Sequence, residues 1–438
     1  MSTGRGHVLV ISHGYEPMLH VSGTRATHMA RELTAIGWEV TVLTVDWSDP
    51  PRPRIADVDG SVERSLTESS PRRLAIDGRL SNPDFDPRDI ETSVPEFSRS
   101  PLKRKVDTFR NTLGWGPYAP WAKRAHDAAA RLHSHRPIDV SWAIHGDDSS
   151  HAIAHRLKQR LGIPWVADYK DPWDAFHSDL ALTLQRWVTR RRLRGADGIT
   201  ETCAAQAAAD EHTFGRRPAV VYSGYDAELM EGVMPERSGG GFCVAYMGAF
   251  GNSHDTCMLR DVFSELAQRG CIESGEFEVY QYGSSIGQIR GLLGEAGCAS
   301  IAREFDRVPR PRVFSLMRGA DVLLILPLTS SKGRLVGLKE IESFASGSPV
   351  LVLGEPLAEL MPVVRACPQV HVALTPEEGA DFLEAESGRV RAGASSRGEV
   401  NIPALEPFTW SVQASRLSEL LVRCRRRPPS RTSESRAA

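Results

Sequence analysis

The sequence predicts an α/β protein of two doubly wound, Rossmann-like parallel-sheet domains, and three features of the chain carry that prediction. The first 45 residues alternate a buried strand, a helix and a second buried strand. A similar alternation begins again near residue 242, after a Gly-rich, polar segment at 234–242 that we expect to be a linker. A chain of 438 residues is also longer than one hydrophobic core usually supports. Because ligands bind beyond the carboxyl ends of such strands, we expect the two domains to face each other across a cleft.

The N-terminal elements form a βαβ unit. His7–Ser12 (HVLVIS) is a continuous apolar run, which is typical of a strand buried on both faces of a parallel sheet. Residues 25–36 place apolar side chains at helical spacing, and Gly37 follows as a C-terminal stop. Glu39–Val45 (EVTVLTV) is the next buried strand. Two strands and a helix within about forty residues indicate a right-handed crossover.

Apart from a final helix at 407–424, the chain divides into three predicted parts. Residues 1–235 form an N-terminal α/β domain, interrupted at 48–118 by a long irregular excursion rich in Pro, Ser, Arg and Asp. Residues 236–406 form the second α/β domain. The polar C-terminus, 425–438, is predicted to be a disordered tail.

Composition narrows the class of protein. The net charge of −2 gives no electrostatic reason to expect a nucleic-acid partner. Seven cysteines without any C-x-x-C pair argue against a disulfide scaffold or a zinc site. No stretch reaches 18 apolar residues, so we expect a soluble cytoplasmic protein. Contact with the inner face of a membrane stays open, because Arg186–Gly195 (RWVTRRRLRG) is either a membrane-surface helix or a solvated one.

Three segments together resemble a known enzyme family. They are SGTRATHMARELTAIGWEVTVLT at 22–44, GIPWVADYKDPW at 162–173 and GLKEIESFASGSPVL at 337–351. Their order and spacing resemble the GT-B glycosyltransferases of group 1, family 4, and the polysaccharide-biosynthesis branch in particular. The resemblance implies a retaining, nucleotide-sugar-dependent hexosyltransferase whose C-terminal domain binds the donor. It also implies that the helix at 407–424 crosses back onto the N-terminal domain.

The resemblance assigns a donor site to the helix that begins near residue 338. Lys339 and Glu342 match a family Lys and Glu three residues apart, where the Glu holds the nucleotide's ribose hydroxyls. The N-terminus of a helix also favours an anion such as a diphosphate. The alternative is that these charges only complement a helix end. Gly248, in AYMGAFG after the first strand of the second domain, is a further expected donor contact.

One position departs from the family pattern. Many relatives carry a second Glu with seven residues between it and the ribose-binding one, and this chain has Arg334 there. A cation cannot accept from a sugar hydroxyl, although it binds phosphate. We therefore expect Lys332 and Arg334 to neutralise the leaving diphosphate, and Arg334 is a predicted catalytic residue.

In the N-terminal domain the resemblance points to three loops. Gly23, Thr24 and Arg25 match a loop near the donor phosphates, with a plain tight turn as the alternative. His145 follows a predicted strand and matches a family His that steadies the transferred sugar, and Asp147 is the reserve candidate. Lys170 and Asp171 are expected to contact the acceptor or to order the cleft wall, with a structural loop as the alternative.

The sequence therefore predicts transfer of a sugar from a nucleotide-diphosphate sugar, UDP- or GDP-linked, to a glycan, lipid-linked or small-molecule acceptor. No cofactor and no metal are expected, because the Asp pairs at Asp57–Asp59 and Asp84–Asp86 lie in the Pro-rich excursion. Two alternatives stay open. One is a non-catalytic partner or regulatory protein of the same fold, and the other is a nucleotide-sugar epimerase of the same fold.

Overall fold

A computed structural model of the chain describes residues 5–16, 21–46, 71–77, 119–146, 148–171, 179–249, 254–272, 276–283, 286–327, 336–394, 397–398, 400 and 402–425. The chain forms two compact units. Unit 1 comprises Met1–Tyr222 and Trp410–Ala438, and unit 2 comprises Ser223–Thr409. The chain thus returns to unit 1 after completing unit 2.

Each unit is built on one sheet whose described strand pairs are all parallel. The first sheet has the order β3-β2-β1-β4-β5-β6-β7, and the second has the order β10-β9-β8-β11-β12-β13. In chain order the strands are β1 (His7–Ile11), β2 (Glu39–Asp46), β3 (Arg72–Asp77), β4 (Val140–Ile144), β5 (Trp165–Tyr169), β6 (Gly198–Glu201), β7 (Ala219–Val220), β8 (Phe242–Met247), β9 (Phe277–Tyr282), β10 (Ala302–Phe305), β11 (Val322–Ile325), β12 (Val350–Leu353) and β13 (Val370–Ala373).

Helices connect the strands and cover the sheets. In chain order they are α1 (Val21–Ala35), α2 (Ala119–His135), α3 (Asp148–Leu161), α4 (Asp179–Leu193), α5 (Ala204–Phe214), α6 (Ala227–Gly232), α7 (Thr256–Gln268), α8 (Gln288–Glu295), α9 (Arg310–Gly319), α10 (Leu338–Ala345), α11 (Met361–Ala366), α12 (Pro376–Arg391), α13 (Ile402–Leu405) and α14 (Trp410–Arg425). Short 3-10 turns lie at Ala299–Ile301 and Glu406–Phe408.

Each sheet has a core of its own. Tryptophan side chains at 121, 142 and 165 are fully buried in unit 1. Phe263, Phe277 and Phe344 are fully buried in unit 2. The central strands β1, β4, β5 and β8 bury every residue, as their continuous apolar runs predict. No helix among the described residues is long and apolar enough to cross a membrane.

Two local predictions differ from the structure. The helix expected at 25–36 begins at Val21, so Gly23 and Thr24 lie in its first turn rather than in a loop. Packing of α1 on α14, where the ring of His28 stacks on Trp410 at 5.0 Å, outweighs the weak helix propensity of Gly23. The excursion at 48–118 contains β3, which extends the sheet beyond β2.

The boundary between the units also differs from the predicted 235/236. Residues 223–235 belong to unit 2, because Arg318 of α9 donates to the carbonyl oxygens of Met230 and Val233 at 3.1 and 2.9 Å. The Gly-rich segment expected to be a linker is packed into unit 2 as well. Its Arg237 pairs with Asp321 at 2.9 Å.

Candidate active site

Both sheets have a switch point, where the strand order changes direction and the loops after two adjacent strands diverge. In unit 1 this point lies between β1 and β4, and in unit 2 it lies between β8 and β11. Open α/β sheets bind ligands beyond the carboxyl ends of the strands at such points. The residues that follow these four strands are therefore the first place to look for a site.

At the switch point of unit 2, Gly248 lies against Lys339. Gly248 follows β8 with a φ of +129°, and a Cβ added to it would overlap the Lys339 side chain. Gly283, after β9, approaches Gly248 so closely that its own added Cβ would lie 2.5 Å from the Gly248 carbonyl. Gly248 thus leaves the space that the Lys339 side chain occupies, and the lack of a side chain on Gly283 lets the Gly248 backbone pack closely against it.

Lys339 is held by Tyr246 of β8. Its Nζ lies 3.4 Å from the Tyr246 hydroxyl oxygen, to which it donates, and 5.0 Å from the centre of the ring. Burial lowers the pKa of Lys339, and the neighbouring Glu340 raises it in part. A partly desolvated ammonium at a helix start gains more from a bound anion than one in bulk water.

The N-terminus of α10 receives a carboxylate from its own first turn. The N-cap residue is Gly337, which has no side chain to accept from the free N–H groups. The Glu340 carboxylate instead lies over it, so that a Cβ on Gly337 would overlap it. Burial raises the pKa of Glu340 to about 6, although hydrogen bonds from the backbone of Glu340 and Gly337 lower it. The helix end therefore already attracts negative charge.

Glu342 is buried one turn further into α10. Its side chain is 3 % exposed, and both of its oxygens accept from Arg310 of α9. Burial raises the pKa of Glu342 and Asp226 adds to that effect, whereas Arg310 opposes it. The site thus combines a buried carboxylate, an ammonium and a helix N-terminus, which can bind hydroxyl groups and phosphates.

At the switch point of unit 1, His145 follows β4. Its backbone N–H donates to the Asp168 carbonyl at 2.8 Å, and its ring lies 4.8 Å from that of Tyr169. The side chain is 19 % exposed. Burial lowers the pKa of His145, although Asp148 raises it in part, and the net lowering favours a neutral ring at pH 7. A neutral imidazole at this edge can donate or accept a hydrogen bond.

The other predicted residues of unit 1 are spread over its elements. Gly23 is buried in the first turn of α1, and Thr24 beside it is partly exposed. Lys170 pairs with the adjacent Asp171 at the end of β5, and the lysine side chain is 8 % exposed against 36 % for the aspartate. Asp171 therefore presents the more accessible charge.

Arg25 has a different role from the one its family resemblance implies. Its guanidinium is fully buried and pairs with both oxygens of Asp168 at 2.7 and 2.9 Å. It also donates to the carbonyl oxygens of Val221 and Tyr222. Four bonds inside unit 1 occupy the side chain, so we regard Arg25 as a residue that holds α1 to β5 rather than as a donor contact.

Three predicted site residues lie outside the described residues. Asp147 follows the β4 loop, and Lys332 and Arg334 lie between β11 and α10. Their roles stay predictions from the sequence. Among the described residues no group of three or more His, Cys, Asp and Glu side chains is arranged to hold a metal ion.

Sequence reasoning missed several residues that shape both sites. Arg310 lies 32 positions before Glu342, and no spacing rule connects the two. Tyr246 was read only as part of a buried strand. Asp168 stands in the DYKDPW segment that drew attention to Lys170 and Asp171. A carboxylate at the end of an apolar strand was the available signal, because a buried charge requires a partner.

Sequence comparison gives no relative, because no protein-family model and no curated protein sequence matches the chain. Comparison with solved structures does find similar proteins. Sucrose-phosphate synthase from Thermosynechococcus elongatus superimposes with a TM-score of 0.62 at 15 % identity, covering 94 % of this chain and 98 % of that one. Anabaena HepE in complex with UDP-glucose gives 0.57 at 13 % identity, covering 95 % and 99 %.

A third similar structure is an α,α-trehalose-phosphate synthase (UDP-forming) from Burkholderia vietnamiensis. Its TM-score is 0.57 at 15 % identity, and the match covers 95 % of this chain and 99 % of that chain. Near-complete coverage of both chains means that the two parallel-sheet units and their connection are shared. The chain has the GT-B fold, which at these identities is a statement about architecture alone.

Proposed function

We propose that the protein is a retaining glycosyltransferase that moves a sugar from a nucleotide-diphosphate sugar to a glycan, lipid-linked or small-molecule acceptor. The observation that carries the proposal is the grouping of Gly248, Lys339 and Glu342 at the switch point of unit 2. The fold supports it, since the similar structures include two synthases and a protein solved with UDP-glucose.

In this proposal unit 2 binds the donor. The Glu342 carboxylate accepts from the ribose hydroxyls, and each charge-assisted hydrogen bond contributes about 1.5–3 kcal/mol. Lys339 and the N-terminus of α10 face the diphosphate, for which the Glu340 carboxylate must give way or take up a proton. The similar structure with UDP-glucose makes a UDP-sugar the first donor to test, with GDP-sugars next.

Unit 1 binds the acceptor in this proposal. His145 is a neutral group at the carboxyl end of β4, suited to a hydrogen bond with the transferred sugar. Asp171 and Lys170 lie at the end of the neighbouring β5, and Asp147 follows His145 in the chain. Gly23 and Thr24, in the first turn of α1, stay the donor contacts that the family resemblance implies.

The chemistry is electrostatic. The bond between the anomeric carbon and the diphosphate oxygen breaks, the nucleoside diphosphate leaves, and an acceptor oxygen bonds to the same face of the sugar. The departing diphosphate takes the acceptor's proton. Lys339 and the helix N-terminus stabilise the charge that develops, and Lys332 and Arg334 add to it in the sequence-based assignment. No metal takes part, so turnover is expected to survive EDTA; loss on chelation and recovery with Mg²⁺ or Mn²⁺ would contradict this.

The remaining details of the proposal are a place in polysaccharide biosynthesis and a cytoplasmic location with peripheral membrane contact. Helix α4 supports the membrane contact through Trp187, which is 59 % exposed beneath the guanidinium of Arg191. Arg190 and Arg192 are already paired within unit 1, which reduces the charge available to a lipid surface.

The direct test is nucleoside diphosphate release from a panel of UDP- and GDP-sugars, with and without small-molecule extracts from cells that lack the gene. Release that depends on the extract, with a product of unchanged anomeric configuration by NMR, supports the proposal. Conversion of the donor without any acceptor favours the epimerase. Absence of turnover under any condition would contradict both enzymes and favour the non-catalytic partner or regulatory protein. Absence of nucleotide binding as well would contradict the donor site itself.

A further inference from the structure

Arg310 of α9 and Glu342 of α10 form a bidentate salt bridge. One terminal guanidinium nitrogen donates to Oε1 of Glu342, and the other lies 3.3 Å from Oε2. The guanidinium is fixed from its other side as well, because its central carbon lies 4.8 Å from the centre of the Phe314 ring. The arginine side chain is 26 % exposed, whereas the carboxylate is 3 % exposed. The salt bridge therefore lies near the surface of unit 2, with the guanidinium partly exposed to solvent and the carboxylate buried.

A carboxylate held in this way keeps part of its hydrogen-bonding capacity. Its two oxygens offer about four lone-pair sites, and a two-pronged arginine occupies two of them. Two remain, which is the number that a vicinal diol requires. The arginine also fixes the plane of the carboxylate, so the remaining lone pairs point in a defined direction before any ligand arrives.

The pair also influences the protonation of the carboxylate. Burial and the charge of Asp226, which precedes α6, raise the pKa of Glu342, and Arg310 is the opposing group. Without the guanidinium, burial and Asp226 would raise the pKa of Glu342 further, because no neighbouring cation would oppose them. A protonated Glu342 would have one oxygen converted to a donor and would accept less well from hydroxyl groups.

We propose that Arg310 is a positioning residue for donor binding: its guanidinium orients Glu342 towards the ribose hydroxyls and keeps that carboxylate available to them. The proposal rests on the proposed function and adds to it a residue that does not itself contact the nucleotide. A purely structural pair is the alternative, in which Arg310 only joins α9 to α10.

The experiment measures UDP and GDP binding by calorimetry to wild type, Arg310→Gln and Arg310→Lys between pH 5.5 and 8.5. At pH 7.5 Arg310→Gln is expected to bind about tenfold more weakly, which is about 1.4 kcal/mol. Its deficit relative to wild type grows as the pH falls, because Glu342 protonates at a higher pH in the variant. Arg310→Lys keeps the positive charge but cannot form the two parallel hydrogen bonds of a guanidinium. We expect it to recover part of the affinity and most of the pH profile.

The matched ligand is the 2′,3′-dideoxy form of the same nucleoside diphosphate, which lacks both ribose hydroxyls. Wild type and Arg310→Gln are expected to bind it equally. The matched protein is Arg312→Gln, on the same helix, whose partner Glu236 is 40 % exposed. This variant is expected to bind both ligands like wild type.

Each outcome bears on the proposal. An equal loss for the ribose and dideoxy ligands, or a loss that does not change with pH, would make Arg310 a structural residue and overturn the assignment. Wild-type affinity in Arg310→Gln would overturn it also, while leaving the proposed function intact. Absence of UDP and GDP binding in wild type would refute the proposed function itself, and the assignment would fall with it.

Discussion

Gly248 and Lys339 are in contact across the switch point of unit 2, with no room between them for a Cβ on the glycine. They are 91 residues apart in the chain, and each was expected at the donor site for its own reason. Gly248 also adopts a φ of +129°, which side chains of L residues rarely allow.

The contact predicts the effect of Gly248→Ala. The added methyl group strains the backbone by about 1–3 kcal/mol and displaces the Lys339 ammonium. We expect a lower melting temperature and weaker UDP binding. The control is Gly291→Ala in α8, where an added Cβ meets no atom within 4 Å. That variant is expected to keep its nucleotide affinity and to gain up to about 1 kcal/mol of stability. Unchanged UDP affinity in folded Gly248→Ala would remove this contact from the site.

A second prediction concerns the buried pair of Arg25 and Asp168, both of which are fully buried. Arg25→Met leaves the Asp168 carboxylate without its countercharge, so we expect a loss of about 3–5 kcal/mol of unfolding free energy. Chemical denaturation measures it, and adding Asp168→Asn is expected to restore part of the loss. UDP affinity of the folded variant should be that of wild type. A stable Arg25→Met protein with weakened UDP binding would return Arg25 to the donor site.

A third prediction concerns Glu201, whose side chain is buried at the end of β6. Burial raises the pKa of Glu201 to about 10, and Asp210 and Asp168 add to the effect. The folded state therefore holds a proton that the unfolded state releases above about pH 4.5, so stability falls as pH rises between these values.

Replacing Glu201 by Gln removes this proton uptake. We expect the unfolding free energy of Glu201→Gln to exceed that of wild type by about 1–3 kcal/mol at pH 8, and the difference to shrink towards pH 5. Urea denaturation at the two pH values measures it. Glu201→Leu would not test the proton uptake, because leucine differs from glutamate in both side-chain shape and polarity. A difference that is equal at both pH values would mean that the folded and unfolded states bind the same number of protons at this carboxyl between them, and would contradict the prediction.

The parallel sheets could be predicted from the sequence because buried parallel strands are continuous apolar runs, such as β1, β4 and β8. β3 was not, since RRLAID is short, polar and set in Pro-rich surroundings. The Gly-rich segment near 240 was read as a linker because glycine usually marks loops. Here Gly239 serves close packing instead, since a Cβ on it would overlap the Tyr280 hydroxyl.

The candidate site was readable where its members are close in sequence. Lys339 and Glu342 share one helix, and the family resemblance of that segment, rather than spacing alone, assigns both to a donor site. Arg310 and Tyr246 reach the same helix only through tertiary packing, which no local pattern encodes. Arg25 shows the opposite failure, because a motif predicted a ligand contact for a side chain that the fold itself needs.

The central claim is that α10 binds a nucleoside diphosphate through Glu342, and calorimetric titration of wild type and Glu342→Ala with UDP and GDP tests it most directly. We expect at least one of the two to bind wild type at a single site, and the variant to bind it about ten- to a hundredfold more weakly, equivalent to about 1.5–3 kcal/mol. Circular dichroism must show that the variant is folded. Equal affinity in wild type and variant, or no binding of either nucleotide to wild type, would contradict the claim.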